Sequence, residues 1–132
     1  MSMKKELQDG YIALISIMII GTAIMAIALT LLMTGTDAQR SALVSQQTIQ
    51  ARQISNACVE EALQKIHDTT SFAGSGMLTV GMGSCTYTVA STGVNTRTIS
   101  ANGTAGGVVR KAMVYVTINT SNISITSWQE VL

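Results

Sequence analysis

The chain has 132 residues, enough for one small domain, and a net charge of +1. So small a net charge excludes a strong field aimed at nucleic acid or at an acidic partner. Charged residues make up 11 % and aromatics 4 %, with no proline, whereas an average soluble protein is roughly 25 % charged, so a globular core must be built from Val, Ile, Leu, Met and Ala.

Residues 1–10 read as a short charged leader, with Lys4, Lys5, Glu6 and Asp9 ahead of Gly10. From Gly10 to Thr36 no side chain ionises except that of Tyr11. As a helix, the apolar run 11–33 spans roughly 35 Å, which crosses a bilayer core of about 30 Å with some tilt. Its Ser16, Gly21, Thr22 and Thr30 are of the small or hydroxylated types that let membrane helices approach closely. The run is too long for a secretory h-region of about 7–15 residues, and no A-x-A succeeds it. An uncleaved anchor is therefore the expectation under ordinary export. The lysines before the run place the N-terminus in the cytoplasm and the remainder outside.

Residues 37–67 contain neither proline nor glycine and are dominated by helix formers. Ala51, Ile54, Cys58, Ala62 and Ile66 recur at spacings of three or four and share one face. Arg52, Gln53, Asn56, Glu60 and Gln64 fall largely elsewhere. Glu61 and Lys65 form an i, i+4 pair in the favourable order. Either Gly35 bends the junction between the two halves, or one helix runs from about 11 to about 67.

The segment 68–76 reads as a helix stop and a loop. The rest of the chain has strand composition with turn punctuation. Candidate strands are 77–80, 85–90, 96–101, 108–119 and 123–128, with a hairpin turn at 119–122. Cys85, Tyr87 and Val89 alternate onto one face, as do Ala112, Val114, Val116 and Ile118. A sheet with one wet face needs a cover on the other, and the stripe from Ala51 to Ile66 supplies it. The expected fold is α+β: a long N-terminal helix packed on a small antiparallel sheet. The organisation is leader 1–10, membrane half 11–35, amphipathic half 36–68 and β domain 69–132.

Cys58 lies on the apolar helix face and Cys85 on the apolar face of an early strand. In an exported domain two cysteines suggest one disulfide. Loop-closure entropy would make it worth roughly 3–4 kcal/mol. The alternative is two buried free thiols. With two cysteines and one histidine, no metal set forms. His67 falls in the last helical turn, where an imidazole meets free carbonyl ends. No acid–base pair, nucleophile or phosphate loop accompanies it, and no cofactor is called for. Glycosylation triplets at Asn102, Asn119 and Asn122 carry no weight in so Ser/Thr-rich a tail. The residues describe an anchored structural subunit, not an enzyme.

The leader, Gly10-Tyr11-Ile12-Ala13-Leu14-Ile15, the apolar run, the amphipathic continuation and the small β domain together resemble the type IV pilin superfamily. That family includes major pilins, minor pilins and the pseudopilins of type II secretion. The resemblance implies a pilin-like fold and leader removal between Gly10 and Tyr11 by a membrane prepilin peptidase. It also implies methylation of the new N-terminus. Partners would be the membrane, the peptidase and sister pilin or pseudopilin subunits met through the N-terminal helix. The location implied is the bacterial inner membrane, single pass, and then an extracellular filament. Most pilins carry glutamate as the fifth mature residue, opposite a neighbour's N-terminal amine. Here that position is Ile15. A buried amine without an acid partner is costly, so the resemblance implies a minor or initiating subunit. The other reading is a single-pass anchored domain that is neither processed nor polymerised.

Overall fold

A computed structural model describes residues 2–120 and 122–131, with side chains from Asp9 onward. The side chains of Lys4, Lys5 and Glu6, and Ser121 of the expected turn, lie outside the described residues. The fold is α+β. One helix, α1 (Ser2–Asp68), is followed by strands β1 (Gly74–Val80), β2 (Gly83–Ser91), β3 (Thr96–Ala105), β4 (Val108–Asn119) and β5 (Asn122–Val131). The strands form one antiparallel meander in the order β1-β2-β3-β4-β5. Two compact units result, Met1–Ala42 and Leu43–Leu132.

The helical backbone runs through Gly35 without a break. A single glycine costs about 1 kcal/mol relative to alanine in a helix, and no proline stands nearby to add to it. The helix also starts earlier than expected, taking in most of the leader. It ends where the sequence predicts. The Thr69 amide donates to the Lys65 carbonyl at 2.9 Å, and the Phe72 amide then donates to Thr69 at 2.9 Å. Hydroxyl-bearing residues at 69–71 compete for backbone hydrogen bonds and favour that turn.

In the second unit, residues 43–68 of α1 lie on the sheet. Ala51, Ile54, Cys58, Ala62 and Ile66 are all buried, flanked by Val59 and Ser55. They meet Cys85, Tyr87 and Val89 of β2, Ile99, Ala101 and Ala105 of β3, and Ala112, Val114 and Val116 of β4. A fully buried side chain such as Ile66 contributes about 1.5–3 kcal/mol. With so few aromatics, the core closes by bringing backbone close to backbone. Alanines on both sides permit that approach. Ser55 Oγ donates to the Ala101 carbonyl at 3.3 Å. A Cβ at Gly103 would collide with the Ala51 carbonyl oxygen and the Ser55 amide nitrogen.

Tight turns join the inner strands. Gly81 has φ 58° at the first position of the two-residue β1–β2 turn, and Gly106 and Gly107, at 55° and 83°, make the β3–β4 turn. Positive φ at such positions matches the twist of a hairpin, and glycine reaches it without strain.

Three strand limits differ from expectation by three residues or more. β1 begins at Gly74 and not at 77, because the Tyr87 ring covers Gly76 where any side chain would stand. β3 continues past 101 to Ala105, because Gly103 is the site of helix approach. β5 extends past 128 to Val131. Its register shifts so that Tyr115 faces Ser127 while Val116 faces Ile125, which leaves Thr126 in a bulge.

Candidate functional site

The run 11–33 is the most unusual surface of the chain. Its large apolar side chains are all exposed, from Ile15 at 37 % to Ile17 at 70 %. Among the described residues this is the one helix long and apolar enough to cross a membrane, and none of its most apolar stretch is buried. Isolated exposed leucines are ordinary, but a continuous apolar cylinder needs an apolar surround.

The polar groups of this segment are arranged for such a surround. Ser16 Oγ donates to the Ile12 carbonyl at 2.9 Å. Thr22 donates to Ile19 at 2.9 Å, Thr30 to Ile27 at 2.8 Å and Thr34 to Thr30 at 2.6 Å. Thr36 donates to Met33 at 2.8 Å. Each of these serine and threonine hydroxyls is thus satisfied within its own helix, as hydrocarbon requires.

The expected processing residues sit at the start of this cylinder. Gly10 has nothing within 4 Å of where a Cβ would stand. Tyr11 is 67 % exposed, and Ile15 is 37 % exposed.

Cys58 and Cys85 are joined in a disulfide with a Cα–Cα distance of 6.1 Å. Both are essentially without solvent contact. The bond ties α1 to β2, as the spacing of apolar faces predicted. His67 and Lys65 occupy the last helical turn, and the His67 ring stands 3.6 Å from Asp68 Oδ1 in an exposed setting. Glu61 and Lys65 pair at 3.8 Å. Among the described residues no three His, Cys, Asp or Glu side chains converge as a metal set would.

Sequence reasoning missed two charged residues that shape the domain. Arg97 is 8 % exposed. Its guanidinium donates to the Ser91 hydroxyl and to the carbonyls of Gly93, Thr96 and Thr70. It thereby clamps the β2–β3 loop to the segment after α1. Arg52 pairs with Glu130, joining the helix to β5. An arginine in an otherwise uncharged strand was the only sign of the first. The second depends on a sequence separation that no local pattern reveals. Comparison of the chain with protein-family models, with characterised proteins and with solved structures finds no match to any of them.

Proposed function

We propose that the chain is a minor pilin or pseudopilin-like structural subunit that acts by assembly. The observation that carries this reading is the division of labour along one uninterrupted helix. Residues 11–33 expose an apolar cylinder with every serine and threonine hydroxyl internally satisfied, and residues 51–66 of the same helix bury a stripe against a disulfide-linked sheet. An anchor alone needs only the first part. A subunit that leaves the bilayer for a filament core exchanges one apolar environment for another, so the cylinder never meets water. The leader ends at Gly10, and a residue without a side chain lets the backbone enter a protease cleft. In this reading a prepilin peptidase cuts between Gly10 and Tyr11, and sister subunits pack against residues 11–33.

Ile15 favours a subunit of low abundance or one at a filament end, because it offers nothing to neutralise a neighbour's amine. The same residue favours the second reading, an anchored domain that stays unprocessed in the membrane. The intact mass and N-terminal sequence of the protein from its native membrane separate the two. A chain starting at Tyr11 supports the pilin reading, and Gly10→Leu should then abolish processing. A chain that retains residues 1–10 refutes it and leaves the anchor.

A further inference from the structure

Arg97 stands on the core face of β3 and is 8 % exposed. A buried charge without an opposite partner is costly. Yet no ion pair among the described residues includes Arg97. Its hydrogen-bond partners, the Ser91 hydroxyl and the carbonyls of Gly93, Thr96 and Thr70, are all neutral. Asp68, two residues before Thr70, accepts from Gln64 Nε2 at 3.0 Å and stands beside His67 instead.

The donors left over lie on one side of the group. A guanidinium carries five N–H groups: two on Nη1, two on Nη2 and one on Nε. Nη1 is fully used, at 3.1 Å from Ser91 Oγ and at 3.2 and 3.0 Å from the carbonyls of Gly93 and Thr96. Nη2 has a single acceptor, the Thr70 carbonyl at 3.2 Å. Nε is buried and has none. Nε and Nη2 share one edge of the planar group, so the unfilled donors face the Thr70 side. A cavity of about 440 Å³ opens there, lined by Arg97 and Thr70. Ser71, Asn95, Asn119 and Thr120 bring hydroxyl and amide groups to it, and Val94 and Ile118 are its apolar members. Neither an acid nor a second cation lines it. Arg97 also borders the groove beside Tyr115, but there its companion is Thr96, an acceptor of the filled Nη1. Arg110 Nε is likewise buried without a partner, yet its cavity already holds Glu130.

We propose that the cavity at Thr70 and Arg97 binds a carboxylate. Arg97 holds it through Nη2, and the surrounding hydroxyls and amides donate to its remaining lone pairs. Hydrogen bonds from guanidinium to carboxylate are of the strong, charge-assisted kind. One buried positive charge matches a singly charged anion. A phosphate dianion would bring a second negative charge into a cavity with no second cation. The carboxylate has two sources, a small free acid or an acidic side chain on a second copy of this chain. The cavity lies wholly within the unit Leu43–Leu132, so the site is independent of whether the leader is cleaved.

The test is titration of the full chain, in a non-ionic detergent, with acetate while the Arg97 Nε–H resonance is followed by NMR. A saturable shift is expected, with a dissociation constant on the order of 1 mM, the strength of two charge-assisted hydrogen bonds. Chloride at equal ionic strength should not reproduce it. Arg97→Lys keeps the charge but loses the planar donor set, and should weaken acetate about tenfold, read on the Asn95 and Asn119 side-chain amides. If a thermal melt shows that variant unfolded, the Nε–H titration of the parent chain decides alone. Sedimentation at rising protein concentration separates the sources. Self-association that acetate dissolves and Arg97→Lys abolishes assigns the acid to a second copy; a chain that stays monomeric and binds acetate assigns a free acid. The proposal is overturned if acetate gives no saturable shift, if chloride gives an equal one, or if inorganic phosphate binds more tightly than acetate.

Discussion

The two stretches of α1 on either side of residue 42 obey opposite rules. In 11–33 apolar residues occupy all sides and none is covered by the chain itself. In 51–66 apolar residues keep to one stripe, and that stripe is the core of a folded unit. Both stretches are good helices, so helix propensity does not distinguish them. What differs is the solvent each is written for. A helix apolar all round is complete only when something else surrounds it, whereas a striped helix is completed by its own sheet. The second stretch therefore carries the stability of the folded unit, and the first calls for an apolar surround.

That division can be broken from either side. The largest effect on stability is expected at the disulfide. Replacing Cys58 and Cys85 together by alanine, or reducing the bond, should cost roughly 3–4 kcal/mol in a denaturant melt. An unchanged melt would show that the bond does not hold the helix to the sheet. Gly103→Val should cost about 3 kcal/mol, since its side chain meets helix backbone that cannot give way. In the membrane stretch, Ile20→Arg should oppose insertion by about 2.5–3.5 kcal/mol and move the protein out of the membrane fraction. Leu29→Ala, by contrast, should leave the melt of the β unit within about 0.5 kcal/mol of the parent. A clear drop would mean that the two stretches are energetically coupled. A similarly small effect belongs to Arg52→Ala. Its partner Glu130 and Arg52 itself are 42 % and 61 % exposed, so solvent screening limits the loss to about 0–1 kcal/mol.

The legible parts of the fold were those with a local period. The stripe at Ala51, Ile54, Cys58, Ala62 and Ile66 and the alternations in β2 and β4 repeat over a few residues, and the cysteines followed from which faces they shared. The parts that escaped depend on what lies across the sheet. Gly74 and Gly76 read as loop because glycine is depleted in strands, yet Tyr87 supplies from the next strand the surface that Gly76 lacks. Asn102 and Gly103 read as the end of a strand, yet β3 runs through them under the helix backbone. The burial of Ser55 results from that same close approach, and its hydroxyl finds the Ala101 carbonyl. At the candidate site, Gly10, Tyr11 and Ile15 were visible as sequence landmarks, and the structure adds their exposure. The internal bonding of the serine and threonine hydroxyls in the run was not legible, since it depends on side-chain rotamers.

The bond from Cys58 to Cys85 also decides how the domain carries mechanical load. Traction applied through α1 reaches Cys58 and crosses covalently to β2. The last turns of the helix, the loop after it and β1 lie between the two cysteines and drop out of the force path. Pulling on the helix therefore cannot peel it from β2 beyond Cys58 without cleaving a covalent bond. Tension enters the sheet beside its middle strand, β3, instead of unzipping it from the β1 edge.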